Sequence, residues 1–203
     1  MSTTEFTALL VLATAMSFTP GPNTTLATAL AANRGLRRAL PFVCAVPIGF
    51  GVLLCLCALG LGALLLALPL LGWVVKIAGV AYLLWLAWKL TQTAHPAQAD
   101  AARMNVSFWQ GVGLQFMNIK GWMLTLAIIG GWIVGRSHPL ARFAIVLPVL
   151  LVFTFVSALS YALVGSLLRD WLAGPRGSGA RLRWFNRGMA AVLALTAAWM
   201  LTV

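Results

Sequence analysis

Long apolar runs, separated by short polar segments, dominate this chain. The first run, Phe6–Asn33, contains no acidic residue, lysine or arginine. Because a helix needs about 20 apolar residues to cross the hydrocarbon core of a bilayer, this run is long enough for one membrane span. It has no basic leader before it and is longer than the apolar part of a signal peptide, so we expect it to persist as a helix.

The remaining runs predict five further spans. The uncharged run Ala39–Val75 is too long for one helix, and we divide it at Ala67–Gly72, where proline and glycine favour a turn. A polar stretch, Thr91–Asn105, then separates the first three spans from the last three. The further predicted spans are Ala39–Leu66, Leu70–Leu90, Ser107–Val134, Phe143–Leu168 and Trp184–Thr202.

This pattern predicts an all-α integral membrane protein with six transmembrane helices. We expect a single membrane domain built from two three-helix repeats, residues 1–95 and 96–203. Because each repeat has an odd number of spans, the second repeat must be inverted in the membrane relative to the first.

The composition supports a membrane protein and excludes a soluble globular domain. Hydrophobic residues make up 62% of the chain and charged residues only 8%, whereas soluble domains contain roughly 25% charged residues. The net charge of +11 could indicate nucleic acid, but the basic residues form short clusters between apolar runs and not one basic face. We therefore expect lipid, and no nucleic acid, around this protein.

The basic residues also predict the orientation of the spans. Cytoplasmic loops of membrane proteins are enriched in Lys and Arg. Lys76 and Lys120 fall inside predicted spans, and the side opposite the main basic clusters holds only Arg136 and Arg142. This bias predicts that both termini lie outside the cytoplasm. The basic residues on the cytoplasmic side are Arg34, Arg37, Arg38, Lys89, Arg103, Arg169, Arg176, Arg181, Arg183 and Arg187.

The middle of the first span contains a helix-breaking segment. Pro20 and Pro22 lack backbone donors, and Gly21 between them disfavours a helix. A break inside the hydrocarbon is tolerated only where protein or a water-filled cavity surrounds it. Pro22 suits the first turn of a new helix, whose N–H groups and positive dipole end would attract an anion. The site residues predicted here are Thr19, Pro20, Gly21, Pro22, Asn23 and Thr24; the alternative is a proline kink used for packing.

A second polar segment lies halfway along the fourth span. It contains Lys120, and a lysine inside a membrane costs at least about 2.5 kcal/mol on insertion scales. No acidic residue lies at that depth, so the partner of Lys120 must be a backbone carbonyl, water or a bound molecule, unless the amine is neutral. The site residues predicted here are Gln115, Asn118, Lys120 and Trp122. A structural role for Lys120 is the alternative.

The two interrupted spans occupy corresponding positions, first and fourth, in the two predicted repeats. Interrupted hydrophobic segments of this kind indicate a midplane substrate site in secondary transporters. For Trp122, an apolar wall of the site and packing between spans both remain open.

The same segments resemble a known family. Thr19–Asn23, followed by Gly35 and Arg37, resembles the PGPN motif of the LysE/RhtB family of bacterial amino-acid exporters. Three later segments also resemble that family: Gly79–Leu83, Trp85–Lys89 and Gln115–Lys120.

Two departures distinguish the chain within this family. Ile119 stands where most members have proline, and the predicted span Phe143–Leu168 lacks the acidic residue of homoserine- and threonine-exporting members. The chain looks most similar to the cysteine and O-acetylserine exporter branch.

The resemblance implies a secondary carrier in the bacterial cytoplasmic (inner) membrane, with both termini periplasmic. It would export small neutral amino acids such as cysteine, O-acetylserine, homoserine or threonine. The carboxylate of such an amino acid would lie on Lys120 and on half-helix N-termini near Pro22 and Gly121. Its ammonium group would lie on the carbonyls of Phe18 and Thr19, or on Asn118. The proton is a candidate coupling ion, and a homo-oligomer is a candidate assembly.

Other functional classes leave weaker signals. There is no HExxH or GxSxG motif and no acid pair, and His95 and His138 lie in predicted loops, so we expect no enzyme. No motif indicates a cofactor or a metal, and Cys44, Cys55 and Cys57 lie within one predicted span as lipid-facing or packing residues. A small-solute or ion channel would also use broken helices. A structural or assembly factor could pack through Gly131–Gly135, but such spacing is common in helical bundles.

Overall fold

A computed structural model describes residues 1–92, 106–174 and 179–202. Within these ranges the secondary structure is entirely helical, which confirms the predicted all-α class. Most of the predicted polar stretch falls outside the described residues, as do His95, Asp100, Arg103 and Arg176.

The first predicted span is two helices, α1 (Thr3–Phe18) and α2 (Pro22–Arg34). Ser2 and Glu5 form a capping box that starts α1: the Glu5 N–H donates to Ser2 Oγ (3.2 Å) and the Ser2 N–H to Glu5 Oε2 (2.8 Å). The intervening residues are not helical, so the predicted break is confirmed. Nearly every residue of α2 is buried, whereas α1 buries only Leu9 and Ala13.

The next predicted division is also confirmed. Helix α3 (Leu36–Leu56) runs through a π-helical segment (Cys57–Leu61) into the short α4 (Gly62–Ala67), and α5 (Pro69–Thr91) follows after Leu68. Proline at the first position of α5 fits because that residue has no intrahelical N–H bond to lose.

The fourth predicted span is a bent helix pair. Helix α6 (Phe108–Met117) and α7 (Ile119–Ile128), which continues through a π-helical segment (Ile129–Ile133), are bent by 67° at their junction. The predicted break is thus confirmed, and α7 begins at Ile119, two residues before Gly121, because Asn118 is the residue that leaves helical geometry (ψ 97°).

The last two helices are longer than predicted. Helix α8 (Pro139–Ala173) has 35 residues and extends beyond both ends of Phe143–Leu168, and α9 (Ala180–Thr202) begins before Trp184. Both extensions carry charged residues, so the uncharged runs of the sequence end before them. Long charged side chains at helix ends can reach water, and the helices therefore continue.

Within the described residues, three helical stretches are long and apolar enough to cross a membrane: Leu36–Leu64, Pro69–Thr91 and Pro139–Ala173. The α6–α7 pair is a fourth if its two parts count as one span, and α1 is a shorter apolar helix. Helix α9 is long enough, but its arginines and Asn186 lower its hydropathy, so it is not among these stretches.

Glycines allow the helices to approach one another closely. At Gly165 of α8, an added Cβ would lie 2.2 Å from the carbonyl oxygen of Thr28 in α2, and at Gly79 of α5 it would lie 2.2 Å from that of Met117 in α6. Small residues at contacts are the usual means by which membrane helices pack. Helix α2 packs on α8, α3 and α9, and nearly all of its residues are buried, so it lies inside the bundle with its N-terminus at the first break.

Candidate functional site

The two helix breaks meet in the bundle. The Nζ of Lys120, in the first turn of α7, donates a hydrogen bond to the carbonyl oxygen of Thr19 at the end of α1, at 2.7 Å. A backbone carbonyl was one of the partners that the sequence left open for Lys120. Gly21 lies against the same side chain, since a Cβ there would be in van der Waals contact with Cδ of Lys120, at 3.5 Å.

Three successive carbonyls at the end of α1 accept hydrogen bonds from side chains of other helices. The oxygen of Ser17 accepts from Ser157 Oγ (2.6 Å), that of Phe18 from the Tyr161 hydroxyl (2.9 Å), and that of Thr19 from Lys120. The last carbonyls of a helix have no intrahelical partners, so these side chains cap α1. The carbonyls of Phe18 and Thr19, which the sequence predicted as partners of a substrate ammonium, thus each accept one side-chain hydrogen bond in this structure.

Ser157 and Tyr161 were not predicted as site residues from the sequence. A signal for them exists: Thr154, Ser157 and Tyr161 are spaced three and four residues apart within an apolar helix, which puts their side chains on one face. The pattern could have predicted a polar face on α8, although not the carbonyls that it contacts.

Asn23 of α2 and Gln115 of α6 bind each other through their side chains. Asn23 Nδ2 donates to Gln115 Oε1 at 2.9 Å, and Gln115 Nε2 donates to Asn23 Oδ1 at 3.0 Å. Gln115 Nε2 also donates to the carbonyl of Gly111 (3.1 Å), and only 1% of Gln115 is exposed. The first turn of α2 and the last turn of α6 are thus held together by a reciprocal amide pair.

A polar cavity lies between these groups, and its lining includes most of the predicted site residues. It offers about 60 Å³ to the centres of water molecules, which is room for a few waters. None of the residues that line it is acidic. Its polar and break residues are Ser17, Thr19, Gly21, Pro22, Asn23, Thr24, Gln115, Asn118, Lys120, Thr154 and Ser157.

Two predicted site residues do not line this polar cavity. Trp122 is buried and packs with Leu53 and Cys57, and its Nε1 donates to the carbonyl of Phe116 at 2.8 Å. This geometry fits the packing alternative and not an apolar wall of the polar cavity. Pro20 is exposed and lines a neighbouring apolar cavity instead.

Two buried polar atoms in the wall of the polar cavity have no hydrogen-bond partner among the described residues. They are Ser17 Oγ and Asn118 Oδ1. Asn118 precedes α7, where an asparagine usually caps the first N–H groups, yet its side chain makes no such bond. An unsatisfied buried polar group costs about 1–3 kcal/mol. Both oxygens are therefore available to a hydrogen-bond donor in the cavity.

The side of the polar cavity next to Lys120 carries positive charge. The Lys120 side chain reaches it, and both α2 and α7 begin at its wall. The start of a helix carries about half a positive charge from its aligned peptide dipoles. The cavity thus combines a cationic centre with acceptor oxygens a short distance away, which suits a zwitterion.

Comparison with known proteins supports this interpretation. The model of the LysE type translocator family matches residues 14–202. A cysteine/O-acetylserine efflux protein of Klebsiella pneumoniae is 36% identical over 125 residues (59% of this chain and 61% of that protein). One of Salmonella typhimurium is 38% identical over 104 residues (51% and 53%), and one of Escherichia coli O9:H4 is 30% identical over 159 residues (75% and 78%). No solved structure matches the chain.

The similarity covers less than two thirds of the Klebsiella and Salmonella relatives, whereas the family match covers nearly all of this chain. Together with the long apolar helices, that match makes the protein a multi-pass membrane protein. The chain belongs to the family of LysE type translocators.

Proposed function

We propose that this protein is a secondary carrier that exports small neutral amino acids from the cytoplasm. The observation that carries the proposal is the Lys120–Thr19 hydrogen bond (2.7 Å), which joins the two helix breaks at one polar cavity. The relatives named as cysteine/O-acetylserine efflux proteins support an amino-acid substrate of this kind.

Binding of a zwitterion would exchange one hydrogen bond for several. The substrate carboxylate takes the ammonium group of Lys120 away from the Thr19 carbonyl, because a charge-assisted bond is stronger than a bond to a neutral oxygen. The N-termini of α2 and α7 add to this attraction. The substrate ammonium donates to Asn118 Oδ1 and Ser17 Oγ, the two acceptors in the cavity wall that have no partner among the described residues, and to the carbonyl that Lys120 has left.

The proposed arrangement in the membrane has six spans in two inverted repeats, residues 1–95 and 96–203. The pairs α1–α2 and α6–α7 each count as one broken span, and α3, α5, α8 and α9 are the others. In this arrangement each repeat begins with a broken span, and the half-helices α2 and α7 both begin at the polar cavity.

Whether export is coupled to a proton gradient depends on which groups in the protein can carry a proton. No acidic residue lines the polar cavity, and Glu5 lies at the far end of α1, paired with Arg142 at 3.2 Å. Export is therefore either facilitated by the amino-acid gradient alone or coupled to a proton carried by a group other than a carboxylate. Concentrative export that persists after the proton gradient is collapsed would exclude proton coupling.

The test is an efflux screen with the purified protein in proteoliposomes. Labelled L- and D-amino acids are loaded inside, and the initial rate of exit is measured against concentration. We expect saturable efflux that prefers the L-isomers of small neutral amino acids and shows counterflow. Ohmic current without saturation would indicate a channel, and the absence of amino-acid flux in sealed, correctly folded samples would contradict the proposal.

A further inference from the structure

A second cavity lies directly behind the Lys120–Thr19 bond. It shares Thr19, Gly21 and Lys120 with the polar cavity, so these residues form a partition between the two. Its opposite wall comes from α9, through Val192, Leu195 and Trp199. Leu195 and Trp199 are 70% and 43% exposed, so this cavity opens toward the outer surface of the bundle.

The two cavities differ in size. The second cavity offers about 520 Å³ to water centres, against about 60 Å³ in the polar cavity. The polar cavity has room for the ammonium and carboxylate of an amino acid, but a side chain of several atoms needs more space. The larger cavity adjoins the same lysine.

The two cavities also differ in chemistry. Besides Lys120, the polar side chains in the second cavity are two threonines, and each hydroxyl donates within its own helix: Thr196 to the carbonyl of Val192 (2.8 Å) and Thr19 to that of Ala15. Met16 and Met123 supply flexible, polarisable side chains that adapt to different apolar shapes. The surface offered to a ligand is therefore apolar.

We propose that this second cavity receives the side chain of the transported amino acid and selects for apolar side chains. The inference rests on the proposed function. With the carboxylate on Lys120 and the ammonium on the polar side of the partition, the tetrahedral Cα directs its third substituent away from both, across the partition toward α9. The favoured substrates are then neutral L-amino acids with thiol, thioether or unbranched aliphatic side chains, in preference to hydroxylated ones.

The first test compares matched amino acids in the parent protein. Norvaline and homoserine differ by a methyl in place of a hydroxyl, as cysteine and serine differ by sulfur in place of oxygen. In counterflow assays, each buried methylene should lower the apparent KM about fourfold, in the series alanine, 2-aminobutyrate and norvaline. Norvaline should compete better than homoserine by at least tenfold. Equal competition by norvaline and homoserine would overturn the inference.

The second test fills the cavity from α9. Val192→Phe places a ring in the cavity, so the advantage of norvaline over alanine should fall at least tenfold. Ala191→Phe adds the same ring at the exposed neighbouring position, which does not line the cavity, and should preserve the order of preference.

The outcomes separate this inference from the proposed function. An equal loss of alanine and norvaline export in Val192→Phe, with Ala191→Phe active, would place the side chain elsewhere. If Val192→Phe changes only the phospholipid that copurifies with the protein and not the order of preference, the cavity holds an acyl chain and the inference is wrong. Failure of the parent protein to export any amino acid would contradict the proposed function and this inference together.

Discussion

Asn33 and Asn186 join α2 to α9 through a reciprocal amide pair. Asn33 Nδ2 donates to Asn186 Oδ1 at 2.8 Å, and Asn186 Nδ2 donates to Asn33 Oδ1 at 3.0 Å, with only 8% and 1% of the two residues exposed. The Asn23–Gln115 pair has the same form at the opposite end of α2. Helix α2 is therefore held at both ends by amide pairs to the second half of the chain.

Replacing one partner of the Asn33–Asn186 pair should destabilise the fold more than replacing both. In Asn186→Leu, the buried Oδ1 of Asn33 loses the donor Asn186 Nδ2, while Asn33 Nδ2 keeps its hydrogen bond to the carbonyl of Ala29. The expected cost is about 1–3 kcal/mol in the free energy of unfolding. The double variant Asn33→Leu with Asn186→Leu should recover at least half of that loss. SDS-induced unfolding in detergent micelles measures both values, and strictly additive losses would show that the two amides are not coupled.

Lys120 should be required for transport through its charge and its geometry. Lys120→Met should abolish export, and Lys120→Arg should impair it, because a planar guanidinium cannot replace a compact ammonium against Thr19. The amino-acid amide should bind about ten- to a hundredfold more weakly than the amino acid, since it loses a charge-assisted bond.

The matched control for Lys120 is Lys76→Met. Lys76 also lies within an apolar helix, but its Nζ is placed over the Trp73 ring (4.7 Å to the centroid) and it does not line the polar cavity. The Lys76→Met protein should therefore retain export. Equal transport of the acid and its amide, or an active Lys120→Met protein, would show that the cation is structural.

Asn23 and Gln115 should act as one unit. Because each amide is the other's partner, Asn23→Ala and Gln115→Ala should each lower the rate of export at normal expression. The double variant should be no slower than the slower single variant. Initial efflux rates in proteoliposomes give this comparison. Unchanged efflux in Asn23→Ala would remove the amide pair from the site, and multiplicative losses would show that the two residues act separately.

The helix breaks could be predicted because proline and glycine act on their own backbone. Pro20–Pro22 ends one helix and starts another whatever surrounds it, and the structure has the break there. The second break was also predicted, although no proline occurs in it, because a lysine and an asparagine within an apolar span need polar surroundings.

The contacts between the breaks could not be predicted, because they depend on the rotation and approach of helices. Ser157 and Tyr161 are visible in the sequence as polar residues, but the carbonyls that they cap belong to α1, far away in the chain. The contacts of Trp122 could not be predicted for the same reason. Whether its indole faces a cavity or packs on Leu53 depends on the direction in which α7 leaves the bend.

The orientation of the termini stays a prediction, which a reporter fusion tests. Arg169 near the end of α8 lies beside Gly35 at the α2–α3 turn, and Arg181 at the start of α9 donates to the carbonyl of Trp171. These basic residues therefore share one end of the bundle, and α9 runs from there to the other end. A fluorescent protein fused to the C-terminus should stay dark, and alkaline phosphatase fused there should be active. A strongly fluorescent fusion would contradict the prediction.

Glu5 should make stability depend on pH. It lies just before the predicted first span, where its carboxylate accepts a hydrogen bond from the Ser2 N–H (2.8 Å) and one from Arg142 (3.2 Å), and lies 3.6 Å from Arg136. The hydrogen bond from Ser2, followed by that from Arg142, lowers the pKa of this carboxyl below its ordinary value of 4.5.

Because the folded-state pKa is the lower one, the stabilisation by Glu5 is fully present above the unfolded-state pKa and is lost as the pH falls through the folded-state pKa. The parent protein should therefore melt at a higher temperature than Glu5→Gln at pH 7, and the difference should shrink below about pH 4. Thermal unfolding in detergent at both pH values measures it. Asp170→Gln serves as the control, since Asp170 lies at the opposite end of α8 from Arg142. A difference in melting temperature between the parent protein and Glu5→Gln that grows with acidification would contradict the assigned ion pair.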